Sequence, residues 1–267
     1  MSTSDPILRI MDSINVEDLD PSFTDNILLQ EKHAPIIFLI DGSYSTYETG
    51  ADKEIYTGLN NILMNIENGD LGRLEPGQID VAVLRYGHDG VEELLPWTPG
   101  SELKEIPYKQ GNGRTPMGKA LYQAAGLAIG KFKAYQAQGI DAYCGAVFNI
   151  TDGEPTDMDK NAASSSPQYE LFTSVKSYIT NFENAGSNKA SYMQFIHLGT
   201  KGANLTPLHN INPHGIAPSN EKDKRVFDLS DMNIEDVFQA VSVSLSKLDG
   251  IGPAEAIAGL LESPDRD

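Results

Sequence analysis

The chain has 267 residues, room for one sizeable α/β core with extensions, and a formal net charge of −18 from 38 acidic and 20 basic residues. Such an acid excess disfavours non-specific nucleic-acid binding and anionic membrane surfaces, both of which call for basic side chains. No apolar run approaches the roughly 20 residues that span a bilayer.

Residues 1–33 read as an acidic extension with a short amphipathic stretch at 7–14. Residues 1–30 lack the basic start and apolar core of a secretory signal. The single cysteine, Cys144, lies in an apolar stretch and cannot form an internal disulfide. A buried strand thiol and a cytoplasmic location are therefore expected.

A domain over 34–249 opens with residues 36–40, Ile-Ile-Phe-Leu-Ile, a continuous apolar run suited to a strand buried on both faces of a parallel sheet. The 3.6-residue spacing of Ile55, Leu59, Ile62, Leu63 and Ile66 predicts a helix over 52–68. Two strands, 79–86 and 91–95, flank Gly-His-Asp-Gly at 87–90, a hairpin signal. Pro116 suits the first turn of a helix through Ala120, Leu121, Ala124, Leu127 and Ile129. A strand at 142–150, a helix at 169–183, strands at 192–198 and 225–229, and a closing helix at 234–248 complete the alternation. Strands alternating with helices imply an α/β, doubly wound, mostly parallel sheet with helices on both faces. The hairpin supplies one antiparallel edge strand. Residues 199–224 are polar, rich in Asn, Pro and Gly, and too long for an ordinary connection, so they read as a surface insertion or a binding loop. Residues 250–267, with a short helical pattern at 254–262, read as a flexible tail.

Oxygen-bearing side chains fall where these strands end or helices start. Residues 36–45 end in Asp41-Gly-Ser43-Tyr-Ser45, residues 113–118 read Gly-Arg-Thr115-Pro-Met-Gly, and residues 147–153 read Val-Phe-Asn-Ile-Thr-Asp152-Gly. In an open parallel sheet such loops converge on one crevice. Together Asp41, Ser43, Ser45, Thr115 and Asp152 make a candidate site for a hard divalent cation, Mg2+ or Mn2+. Taken singly each has a plainer reading: the serines could cap a helix and Asp41 could sit in a turn. Asp80, Asp157 and Asp159 read as solvated or capping acids, Glu154 as no ligand, His197 as a strand residue and the other four histidines as surface.

The three motifs, in this order, resemble the metal-ion-dependent adhesion site of von Willebrand factor type A domains over about residues 34–249. The wording around Thr115 and Asp152 is most similar to a bacterial branch tied to tellurite resistance and stress response. The resemblance implies that Ser43, Ser45 and Thr115 ligate through hydroxyls while Asp41 and Asp152 act mainly through water. Neutral ligands leave charge on the ion, so an open position would draw a Glu or Asp from another protein. The expectation is a metal-dependent interaction module and not an enzyme. The alternatives are a structural or virion scaffold and a Mg2+-dependent phosphatase or nucleotide hydrolase. Residues 113–120 approach a phosphate-binding loop, but Ala120 stands where a magnesium-binding hydroxyl is needed. A haloacid-dehalogenase-like pattern would want an acid where Ser43 stands. No Ser/His/Asp or Cys/His pairing stands out as a nucleophile.

Overall fold

The structure, a computed structural model, describes residues 32–70, 74–88, 90–184, 192–200, 202–215 and 223–228, together with Ala254 and Ile257. In chain order the elements are β1 (Ala34–Asp41), α1 (Tyr44–Thr49), α2 (Ala51–Glu67), β2 (Ile79–Gly87), β3 (Gly90–Pro99), α3 (Met117–Gln138), β4 (Gly145–Thr151), α4 (Pro167–Asn184), β5 (Met193–Gly199), α5 (Thr206–Ile211) and β6 (Val226–Asp228). Six strands form one sheet in the order β3-β2-β1-β4-β5-β6. All neighbours pair in parallel except β2 with β3, the expected antiparallel edge hairpin. This is the Rossmann-like layout anticipated from the sequence.

Burial explains why the apolar runs are continuous. Every residue of β1, β2, β4 and β5 is buried, because helices cover both faces. Ile36, Phe38 and Ile40 pack with Ile55, Leu59 and Ile62 of α2 on one face; Ile37 and Leu39 pack with α3 and α4 on the other. The edge strand β3, by contrast, is half-buried to exposed along its length.

Several elements differ from expectation. The unpredicted α1 has the sequence Tyr-Ser-Thr-Tyr-Glu-Thr and buries only Thr46, so it carries no apolar stripe to announce it. Pro116 is the N-cap of α3 and not its first residue. Within the expected insertion, α5 turns Leu208 and Ile211 into the core. The short helical pattern expected at 254–262 is met at Ala254 and Ile257, which are helical, but both are without exposure and pack in the α2-side core. The expected closing helix at 234–248 lies outside the described residues. Cys144 is a half-buried free thiol one residue ahead of β4.

Asp80 is a correction: it is neither solvated nor a cap. Lys131 Nζ lies 2.9 Å and His33 Nδ1 3.0 Å from its carboxylate, and the Tyr135 hydroxyl donates to it. Burial alone would raise its pKa, but these three donors hold it below the ordinary carboxylate range. Partners 47 to 55 residues away are invisible to local pattern.

Helix α3 packs tightly near its start. A Cβ built on Gly118 would stand 2.9 Å from Leu171 Cδ2, 3.0 Å from Asp157 Oδ1 and 3.1 Å from Met158 Cβ, whereas the neighbouring Lys119 is exposed. Gly118→Val should therefore destabilise by about 1–3 kcal/mol through overpacking, and Lys119→Ala by less than about 0.5 kcal/mol. Urea denaturation of the two variants checks this; the reverse order would mean that α3 does not dock as described.

Candidate metal centre

The sheet order places β1 beside β4 with β2 and β5 on their outer sides, so the chain's crossover direction reverses between β1 and β4. Crevices form at the carboxyl ends of strands at such a switch. Asp41 ends β1 and Asp152 follows β4 there.

Five side chains knit the two strand ends together. Asp41 Oδ1 accepts the Ser43 backbone N–H at 2.9 Å, and its Oδ2 accepts the Thr151 hydroxyl at 2.6 Å. Ser43 and Ser45 hydroxyl oxygens are 3.0 Å apart, and Ser45 donates to Asp152 Oδ1 at 3.0 Å. Thr151 also accepts the Gly153 N–H at 3.1 Å, which fixes the turn carrying Asp152. Thr115 arrives from the loop before α3, tied to the same turn by the Thr156 N–H, which bonds to its carbonyl at 2.9 Å.

Asp157 completes this tie. Its carboxylate accepts the N–H groups of Gly118 and Lys119, both at 2.9 Å. These are donors that a helix start leaves unpaired and that Pro116 offers no side chain to satisfy. The capping expectation for Asp157 holds, with the capped helix 39 residues away in sequence. Asp159 accepts the Asn161 N–H in a local turn, and exposed Glu154 accepts from the Asn204 amide.

Three of the expected oxygens face one common space. A Cβ built on Gly153 would stand 3.6 Å from Thr115 Oγ1, 3.7 Å from Ser45 Oγ and 3.8 Å from Asp41 Oδ2. All five expected residues are thus gathered on one face, linked by the bonds above. The donor set is oxygen only, as Mg2+ and Mn2+ prefer. Among the described residues no group of three or more His, Cys, Asp or Glu is gathered to hold a metal, so a cation here would rely on hydroxyls as well as carboxylates.

The electrostatics suit a cation. Burial pushes Asp41 up to about 6, with the Thr151 and Ser43 hydrogen bonds opposing and the Asp152 charge adding. Asp152 is likewise raised by burial. Two desolvated carboxylates side by side gain from a nearby positive charge more than exposed ones would.

Sequence reasoning missed three supporting residues. Thr151 is fully buried and bonds Asp41; it stands just beyond the expected strand 142–150, within the motif but with no role read for it. Arg85 of β2 donates to the carbonyls of Gly42 at 3.2 Å and Gln110 at 2.7 Å, tying the turn after β1 to the strap before α3. Its guanidinium fills the place a Gly42 side chain would take, so Gly42 is needed for Arg85 to pack rather than for a special backbone angle. Asn149, one layer below, accepts the Tyr86 hydroxyl at 2.8 Å and lies 3.2 Å from His197 Nδ1. His197 is the buried strand residue expected; His33 and His214 are half-buried beside Asp80 and Glu183 rather than free on the surface.

No family model and no curated protein matches the chain. Among solved structures, the pilus adhesin SpaC of Lactobacillus rhamnosus GG in its open conformation superposes with a TM-score of 0.56 at 14% identity, over 81% of this chain and 30% of the adhesin. Another crystal structure of SpaC gives 0.55 at 15% identity, over 81% and 31%. The chain thus matches about a third of the adhesin's length. The VWA domain of SpRpn10 is matched at 0.47 and 14% identity, over 81% of this chain and 96% of that domain. At these identities the likeness to SpaC shows the fold alone.

Proposed function

We propose that the chain is a divalent-metal-dependent protein-interaction module of the von Willebrand factor A type. Asp41, Ser43, Ser45, Thr115 and Asp152 would hold Mg2+ or Mn2+ as a metal-ion-dependent adhesion site. When bound, the ion supplies an electrophilic position for one carboxylate of a partner protein. The observation that carries the reading is the convergence of Thr115, Ser45 and Asp41 oxygens beside Gly153 at the switch point of the sheet. The chain's own part is to hold these groups still, through Thr151 on Asp41 and Asp157 on α3, and to offer mostly neutral donors. A non-enzymatic role is favoured because residues 107–112 form no strand before the glycine loop and Ala120 brings no hydroxyl, so phosphate-loop chemistry lacks its parts. Within this reading the wording of the motifs suits a cytoplasmic adaptor of a bacterial stress or tellurite-resistance system.

The test uses arrayed peptides that each carry one Asp or Glu, beside matched Asn or Gln copies, probed with the full chain in millimolar Mg2+ and again in EDTA. Binding that needs both the acid and the metal is expected. Equal binding in EDTA, or to the amide copies, would overturn the proposal. Metal-dependent turnover of a phosphoester lost in Asp41→Asn would replace it with the hydrolase.

A further inference from the structure

The exposed large apolar side chains among the described residues are Tyr44 at 52%, Tyr47 at 40%, Met64 at 56% and Tyr108 at 43% exposure. All four lie on one flank, and they connect. Tyr44 sits between Ser43 and Ser45, and its ring centroid is 6.1 Å from that of Tyr47. Tyr47 packs beside Gly111 of the extended strap over residues 103–112. Tyr108, in the same strap, stacks edge-on against Tyr56 of α2 at 5.4 Å. Tyr56 and Met64 then line a groove of about 490 Å3 between α2 and the strap, with Leu63 and Ile106 on its floor.

The groove is held open by bonds that a partner need not make. Asn60 accepts the Ile106 N–H at 2.9 Å and donates to the Ile106 carbonyl at 3.0 Å, fixing the strap at a set height over α2. Buried Asp52 accepts the Tyr108 hydroxyl at 2.6 Å and the Gly111 N–H at 3.1 Å, fixing the strap's other end. Such prior ordering removes part of the entropy cost of association. Tyrosines that expose a rigid ring at low entropic cost are the side chains that dominate binding energy at interfaces.

We infer that this track is the second half of the partner site: an extended segment of another protein places its acid at the metal face and its bulky apolar side chains along Tyr44, Tyr47 and Tyr108 into the α2 groove. The inference rests on the interaction-module reading. Charge favours this occupant. Exposed Arg114 and Lys119 flank Thr115, where the acid would lie, and the groove walls carry Lys53 and Lys104 against Glu67 and Glu105. The groove lining is thus neutral in a chain of net −18, so the segment's apolar part meets no net charge there, while its acid is drawn by the metal itself past Glu48, Asp152 and Asp157. The lining positions of α2 run from Lys53 to Glu67, roughly 21 Å at about 1.5 Å per residue. An extended strand covers that distance in about six residues.

The test pans linear peptides with one fixed Asp and random flanks against the full chain in Mg2+. Selected peptides should share a bulky apolar residue at a constant offset from the Asp. Tyr47→Ser and Met64→Ser should each weaken them roughly tenfold or more, with metal affinity and melting midpoint unchanged, whereas exposed Lys176→Ser on α4 should not. Peptides lost in EDTA but indifferent to both track variants would overturn the track and leave the metal reading intact. Peptides that need the track but bind equally in EDTA would leave the track and sink the metal reading. A concentration-dependent dimer dispersed by Tyr47→Ser would overturn the peptide occupant in favour of a second copy.

Discussion

Millimolar Mg2+ or Mn2+ will raise the melting midpoint of the wild-type chain and leave that of Asp41→Asn where it was. At about 100 times its dissociation constant, an ion that binds only the folded state adds roughly 2.7 kcal/mol. For a chain of this size that corresponds to roughly 2–4 °C per kcal/mol. Asn at position 41 keeps the shape and can still accept the Ser43 N–H, so the variant should fold; only the negative charge beneath the three hydroxyls is removed. Thr115→Ala should lower the shift without abolishing it, because one neutral donor goes while both acids stay. Scanning calorimetry with and without metal reads both variants. Equal shifts in wild type and Asp41→Asn would remove the proposed centre.

The second large effect lies at the other end of the sheet. Glu183 of α4 is fully buried and receives the Arg225 guanidinium through two hydrogen bonds of 2.8 Å. Arg225→Met removes the guanidinium counter-charge of that carboxylate and should cost about 3–5 kcal/mol, whereas pairing it with Glu183→Leu should recover most of the loss. The same region makes the protein acid-sensitive. His197, one strand away, is held down to about 3 by burial, with the Glu183 charge opposing. A depressed histidine favours folding fully above its ordinary value of 6.5 and progressively less as pH falls toward 3. The expected slope is about 1.4 kcal/mol per pH unit. Burial alone would raise Glu183, but the adjacent His214 ring and the Arg225 hydrogen bonds hold it low, so its contribution also disappears on acidification, below the ordinary 4.5. The His197 share of the difference between pH 7.5 and pH 5.0 is about 2 kcal/mol, read as the change in that difference on His197→Asn, because the raised Asp41 carboxyl acts with opposite sign over the same window. A wild-type slope unchanged by that substitution would place the acid sensitivity elsewhere.

The elements read most clearly in the sequence were those whose burial is two-sided. The run 36–40 could be little but a central strand, and the hairpin around 87–90 was marked by its glycines. The gathering of Asp41, Ser43, Ser45, Thr115 and Asp152 on one face followed from motif order plus the convergence of loops at a switch point. What stayed hidden depended on distant partners. Asp80 looked solvated because Lys131, His33 and Tyr135 are far from it in sequence. Helices α1 and α5, six residues each, are too short for a 3.6-residue period to repeat. Thr151 and Asn149 carry no role in the sequence reading, since nothing local shows a hydroxyl reaching Asp41 or an amide bridging Tyr86 and His197.

The clasp around Asp80 also fixes where load would travel. His33 is bonded to Asp80 and paired with residues 141 and 143 just ahead of β1, while Asp41 ends that strand. A pull applied between the metal face and the segment that precedes His33 therefore acts along β1. That strand is flanked on both sides by parallel neighbours, with paired residues along β2 and β4. Its hydrogen bonds lie across the line of pull and share the force, so they must yield together in shear rather than open one at a time like a zipper. The strand that presents Asp41 would thus carry in shear any tension applied at the proposed metal face.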